Sequence, residues 1–298
     1  MKSVIFSTAL IGWVLAGIPF ASAAAPDCPN RGTVRFGVEP FEAAAKLVPI
    51  YERVGKLLAR YLDCDVEVFV TTSYTAEVEA MRAGRLEVGE FSPFSYVLAH
   101  KIANADVVAS YSNADGRPDS YTAGIVTWPG SGITSLKEVA GHTFGYSDPT
   151  SNSGHLFPAY ALKQAGIDPD TGVKPLYSGT HTASFEALRN HKVEAGELNS
   201  QQIVSSTDAG VYKPGDYIEL WRSGPIPVDP IAVRRDLEPG FKARLTKVLQ
   251  SFDATPAVTP AELRMFGSGH MVPQDDAAYD GIRDLVKVLN IDLSKLGE

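Results

Sequence analysis

Phe144-Gly145-Tyr146-Ser147-Asp148-Pro149-Thr150-Ser151-Asn152-Ser153-Gly154-His155-Leu156-Phe157-Pro158, running on to Gly166, is the stretch around which the chain is read. A short run of β-formers gives way to Ser, Asp, Pro and Asn. Leu156, Phe157, Tyr160 and Leu162 then fall at helical spacings that Gly166 closes, which predicts a strand, a hydroxyl-rich loop and a helix. Such a helix start presents unpaired N–H groups and the positive end of its dipole. Ser151, Asn152 and Ser153 add donors there without adding formal charge. That combination suits a small anion. The same residue types are also ordinary N-caps, so the stretch by itself reads as a capped helix as well.

The chain begins with Lys2, an apolar run over residues 4–20, and Ala21-Ser22-Ala23, the pattern of a secretory signal cleaved near residue 23. A run of about 17 apolar residues followed at once by a cleavage pattern fits a removed signal better than an anchor. The expected product is a soluble exported protein. In an oxidising compartment its two cysteines, Cys28 and Cys64, are expected to pair. Neither has a C-x-x-C partner or a nearby histidine, so no metal site is expected there. About 275 mature residues suit two lobes rather than one small core. The formal charge of −8, one unit more negative once Lys2 leaves, disfavours nucleic acid and anionic membranes as partners. An anionic ligand would therefore be held by local dipoles and hydrogen bonds.

From residue 33 onward, strands and helices alternate. Residues 33–38, 66–70, 86–91 and 107–111 read as strands. Between them lie helices, the first carrying Leu47, Ile50, Tyr51, Val54, Leu57, Leu58 and Tyr61 with Pro49 in its first turn. Such alternation predicts a mostly parallel sheet, with ligands at the carboxyl ends of strands, where Tyr74 and Phe91 fall. After an extended segment at residues 120–126, a second α/β unit runs to about residue 223. The stretch Pro225-Ile226-Pro227-Val228-Asp229-Pro230 then returns the chain to the first unit, and the tail is helical. Two crossovers around an inserted unit predict two lobes hinged around a cleft: 24–122 with 228–298, and 123–227.

At this point the residues carry a family resemblance. Asp148-Pro149-Thr150-Ser151-Asn152-Ser153-Gly154 resembles the Asp-Pro-x-Ser-Thr-Ser-Gly segment of the periplasmic phosphonate- and phosphite-binding proteins of ABC importers. Thr71-Thr72-Ser73-Tyr74 with Met81-Arg82, Ser178-Gly179-Thr180-His181, Pro227-Val228-Asp229-Pro230-Ile231 and Tyr279-x-x-Ile282-Arg283 follow in the family's order. The resemblance implies the α/β, two-lobed type 2 periplasmic binding protein fold. It also implies that Tyr74, Ser151, Asn152, Ser153, His181 and Asp229 contact the oxygens of an anion. An Asp facing an oxyanion accepts only from a protonated oxygen. Three positions depart from the family: Asn152 replaces its middle Thr, Phe91 replaces a Tyr, and Gln201 stands where aminoalkylphosphonate binders have a Glu for the ligand's amino group. A cationic tail is thus poorly provided for. The expected ligand is phosphite, phosphate or a simple phosphonate.

Ser153, His181 and Asp229 include the residue types of a hydrolytic triad. Ser153 lacks the G-x-S-x-G setting, however, and no metal-ligand cluster is visible, so no enzyme and no cofactor are expected. The expected protein is a periplasmic monomer that docks on an ABC permease. The alternative is an oxyanion sensor, for arsenic oxyanions among others, that signals to a sensor kinase's periplasmic domain.

Overall fold

The structure, a computed structural model, describes residues 28–296; the signal segment read at residues 1–23 lies outside them. In chain order the first part contains β1 (Thr33–Val38), α1 (Ala44–Leu62), β2 (Asp65–Val70), α2 (Tyr74–Arg82), β3 (Val88–Glu90), α3 (Pro93–Ile102) and β4 (Ala105–Tyr111). There follow β5 (Ser120–Tyr121), β6 (Gly124–Thr127), β7 (Thr143–Tyr146), a π-helical turn (Asn152–Leu156) continuing into α4 (Phe157–Gln164), β8 (Lys174–Tyr177), α5 (His181–Arg189), β9 (Ala195–Glu197), α6 (Ser200–Asp208) and β10 (Ile218–Arg222). The chain closes with β11 (Ile226–Pro227), β12 (Pro230–Arg234), α7 (Pro239–Leu249), β13 (Met271–Pro273) and α8 (Asp280–Leu289).

Two sheets result, one of six strands in the order β13-β4-β12-β3-β1-β2 and one of five in the order β10-β6-β9-β7-β8. Both are mixed rather than mostly parallel. β1 runs parallel to β2 and β3, and β7 to β8 and β9, through helical crossovers. β12, β13, β6 and β10 pair antiparallel. Of these, β6, β10 and β12 flank the passages between the lobes, whereas β13 comes from the C-terminal part of the chain after α7. A chain arriving from the other lobe enters its sheet at the opposite end from one delivered by a helical crossover, which reverses its direction. The two passages themselves pair antiparallel, Ile226 opposite Tyr121 and Pro227 opposite Ser120.

Pro49 lies in the second turn of α1, because the helix begins at Ala44. The helix tolerates it: Ile50, Tyr51, Val54, Leu58 and Leu62 keep one face buried, and Asp63 ends the helix with φ 50°. That face packs on one side of the six-stranded sheet with Phe36, Phe241, Phe252 and Phe266. Val78, Phe94, Tyr96 and Tyr279 cover the other side. The five-stranded sheet is covered by Ile125, Phe144, Tyr146 and Leu162 on one side and by Phe185, Leu188 and Leu198 on the other. No helix among the described residues is long and apolar enough to cross a membrane.

Cys28 and Cys64 are joined in a disulfide that fastens the segment before β1 to the link between α1 and β2. Closing a loop over 36 residues of sequence separation restricts the unfolded chain. The expected stabilisation is about 4 kcal/mol in the chain-entropy model. Replacing both cysteines by serine is accordingly expected to lower the urea midpoint and, because the released unfolded chain exposes more surface, to steepen the transition. An unchanged midpoint would show that the bridge contributes nothing to stability.

Candidate functional site

A cavity of about 250 Å³ lies between the lobes. Five helix starts meet at it, each capped by a side chain the sequence supplies. Ser73 Oγ accepts from Ala76 N (3.1 Å) at α2, and Ser92 Oγ from Ser95 N (3.4 Å) at α3. In the other lobe Ser151 Oγ accepts from Gly154 N (3.1 Å), Thr180 Oγ1 from Ala183 N (3.0 Å) and Asn199 Oδ1 from Gln202 N (2.8 Å). The capping residue or one of the next two, Tyr74, Ser92, Ser151, His181 and Asn199, lines the cavity in every case. Five positive dipole ends thus lie at the lining of a space whose Lys46 and Arg264 are paired with Glu42 and Asp208.

The turn from Ser147 to Leu156 is shaped for this role. Asp148 Oδ1 accepts from Thr150 N (2.8 Å) and Thr150 Oγ1 (2.7 Å), which folds the loop back. Leu156 N bonds to Ser151 O (3.1 Å), five residues back, so the helix starts as a wide π turn. Such turns recur at functional sites. At Gly154 a Cβ would collide with Ser147 Oγ, so only glycine lets the loop approach the helix this closely.

His181 is the buried basic group of the site. Its Nδ1 lies 3.0 Å from both carboxylate oxygens of Glu197, and its Nε2 lies 3.4 Å from Ser151 Oγ. Burial works to lower the imidazole's affinity for its proton, but the Glu197 carboxylate outweighs it, aided by Glu42 and Asp229, and the net shift is upward. Asn199 Nδ2 donates to Ser153 Oγ (3.2 Å), and Asn152 Nδ2 donates to the Tyr121 hydroxyl (3.3 Å).

Of the residues picked out from the sequence, Tyr74, Ser151, Ser153, His181, Gln201 and Asp229 all line the cavity. Phe91 and Asn152 do not. Phe91 is fully buried in the apolar cluster with Val78, Met81 and Phe94, and its ring lies against Gly89. Asn152 is buried behind the turn beside Tyr121, and its Oδ1 has no partner. Sequence reading missed the acids. Glu90, at the end of β3, lines the cavity, while Glu39 and Glu77 are buried in the same lobe. Burial is the main cause that raises all of them, Glu90 to about 8 and Glu39 and Glu77 well above the carboxylate range. Burial likewise lifts Asp229 to about 7, against the pull of His181. One signal was legible: by the two-residue period Glu90 shares a strand face with Val88, where an apolar residue belongs. No group of three or more His, Cys, Asp or Glu among the described residues could hold a metal ion.

The lobes touch around the cavity rim. Glu42 of the first lobe accepts from Thr182 Oγ1 (2.5 Å) and Ser205 Oγ (2.7 Å) of the second, and also binds Lys46 (2.9 Å). His181 N donates to Phe41 O (3.1 Å), and Arg264 pairs with Asp208 (2.7 Å). The cleft is closed.

Comparison with known proteins places this geometry in a family. The model of the periplasmic substrate-binding protein of phosphonate ABC transporters matches residues 36–279. The chain is 26% identical to the phosphate-import protein PhnD of Mycolicibacterium smegmatis, over 86% of this chain and 85% of that one. The solved structure of PhnD1 from Prochlorococcus marinus in complex with methylphosphonate has the same fold, with a TM-score of 0.76 at 22% identity, covering 87% of this chain and 98% of that one. The tetrathionate sensor histidine kinase TtrS of Salmonella typhimurium is 26% identical over 77% of this chain, which spans 38% of the kinase. Members of the matched family bind substrates rather than convert them. The chain therefore belongs to the phosphonate-binding family of periplasmic substrate-binding proteins of ABC transporters.

Proposed function

We propose that this protein captures a small tetrahedral oxyanion, phosphite, phosphate or a simple phosphonate, between its lobes and delivers it to an ABC permease. The observation that carries the reading is the convergence of the capped Ser151 turn with His181, whose Nδ1 lies against the Glu197 carboxylate, on one closed cavity. In this reading Ser151, Ser153, Tyr74 and the helix-start N–H groups donate to the anion's oxygens, and Asp229 accepts from a protonated oxygen. Asn152 acts from behind, fixing Tyr121, and Phe91 serves as an apolar support. Gln201 offers a neutral amide at the cavity edge. Of the lobes expected over 24–122 with 228–298 and over 123–227, the described residues 28–122 with 228–296 form one and 123–227 the other, and the β5–β11 passages are the hinge.

Calorimetry and thermal shift with phosphite, phosphate, methylphosphonate, 2-aminoethylphosphonate and sulfate test the ligand. A true ligand at 100 times its dissociation constant is expected to stabilise the protein by about 2.7 kcal/mol. Ser151→Ala is expected to weaken its binding by roughly ten- to a hundredfold, the cost of a lost charge-assisted hydrogen bond. Tight binding of 2-aminoethylphosphonate alone, with no response to phosphite, phosphate or methylphosphonate, would overturn the ligand reading. The match to the ligand-sensing kinase keeps an oxyanion sensor as the second reading. Stimulation of permease ATP hydrolysis by the loaded protein in vesicles is the outcome expected for import.

The charge on His181 is open to a separate measurement. A histidine whose folded pKa is raised contributes stability that is complete below the unfolded value of about 6.5 and lost as pH rises through the folded one. Histidine NMR is expected to show His181 titrating above the ordinary imidazole range. In Glu197→Gln, with the carboxylate gone, burial dominates and the titration should drop below that range. Identical titration in both proteins would remove Glu197 from the account.

A further inference from the structure

Glu90 occupies an unusual position for an anion-binding cleft. It lines the cavity from the end of β3, opposite Ile231 of β12, and its Oε2 has no partner. Every ionisable group recorded as acting on it is neutral or acidic: Tyr51 from α1, Tyr111 from β4, Asp229 from the segment before β12, and Glu77 from α2. Glu39, from the loop after β1, adds its charge to the same group through Glu77. The Tyr111 hydroxyl and Asp229 Oδ1, both of cavity-lining residues, are buried and have no partner, while Tyr51 lies behind Glu90 and outside the cavity lining. The cavity's cations are engaged elsewhere: Lys46 with Glu42 and Ser205, Arg264 with Asp208, and His181 with Glu197.

Several carboxylates in one buried space cannot all be ionised without cations. An ionised Glu90 would accept hydrogen bonds only and would repel an anion in the same cavity. A neutral carboxyl instead gains an O–H. The unpaired Tyr111 phenol on the same lining is a donor too, so this wall offers two donors to the acceptor oxygens of an oxyanion. A space of about 250 Å³, roughly eight times a water's share of liquid volume, lets a substituted oxyanion touch both walls.

We propose that Glu90 is a ligand-contacting residue that enters the cleft as the neutral acid and, with the Tyr111 hydroxyl, donates hydrogen bonds to oxygens of the bound anion. The inference rests on the oxyanion reading and deepens it, assigning a second, lobe-1 donor subsite opposite the Ser151 turn. Burial, the main cause of Glu90's upward shift to about 8, is in keeping with the neutral form at physiological pH. When Glu90 ionises, the subsite loses a donor and gains a repelling charge, so affinity falls.

The test is calorimetry of the mature protein with methylphosphonate between pH 6 and 9, on wild type, Glu90→Gln and Glu90→Ala. The amide mimics the neutral acid and cannot ionise, and the ligand's own titration is common to all three proteins. The ratio of wild-type to Glu90→Gln dissociation constants is expected to stay within about threefold and flat below pH 7. Above pH 8 it should rise by about tenfold per unit, the slope for one linked proton. Glu90→Ala, without a donor, is expected to bind about tenfold more weakly at pH 6. Carbon NMR of the Glu90 carboxyl in wild type keeps the test independent of the variants' folding: free protein should titrate near 8, and ligand should move that titration upward. A pH-independent ratio overturns the proposal. So does a Glu90→Gln protein that fails like Glu90→Ala while wild type prefers 2-aminoethylphosphonate tenfold over methylphosphonate, because Glu90 would then be a carboxylate receiving a cation. If no oxyanion binds wild type at all, the functional reading itself fails; binding with a flat ratio sinks only this inference.

Discussion

Charge compensation without surface cations is the constraint on which this cleft depends. The protein is acidic overall, and the groups lining the cavity include Glu90 and Asp229. Long-range attraction therefore does not draw an anion in. What opposes the negative field is local: the starts of five helices at the cavity lining, and an imidazole whose affinity for its proton is raised by the Glu197 carboxylate beside it. Nε2 of that imidazole, on the side away from Glu197, lies 3.4 Å from Ser151 Oγ. Orientation thus replaces net charge as the source of affinity, and preorganised donors cost little to align when the ligand arrives.

The architecture follows from that need. Five helices can direct their N-terminal ends to one cleft only if strand ends from two sheets face each other across it. The two passages at β5 and β11 let the chain build one sheet, leave, build the other and return. Each helix then inherits its aim from the strand that precedes it. The caps Ser73, Ser92, Ser151, Thr180 and Asn199 satisfy one backbone donor at each start, and at α5 and α6 the first N–H is bonded as well, His181 N to Phe41 O and Ser200 N to Thr122 O.

Much of this was legible in the sequence, since the alternation of strands and helices, the two passages between lobes, the cysteine pair and the Ser151 turn are all local patterns. Strand direction was not, because whether β12 runs with or against β3 is decided by where the chain comes from and leaves no trace in local periodicity. The site divided in the same way. Tyr74, Ser151, Ser153, His181, Gln201 and Asp229 sit beside turn and cap signals and reach the cavity. Phe91 lies one residue beyond Glu90, and strand alternation turns its ring into the core while Glu90 faces the ligand space. The neutralised acids were invisible for a different reason. Their state depends on Tyr51, Tyr111 and Asp229, which come from three other places in the chain and meet only in the folded protein.

Glu42 joins the lobes through Thr182 and Ser205, and these bonds exist only while the cleft is shut. They contribute to the balance between open and shut forms whatever the cavity contains. A change there multiplies the apparent dissociation constant of every ligand by the same factor, because it alters the fraction of competent molecules and not the contacts any one solute makes. Strength of capture and choice of solute are thereby held on separate parts of the molecule. The rim can be retuned to scarcer or richer surroundings while the ranking of solutes, set deep in the cleft, stays as it was.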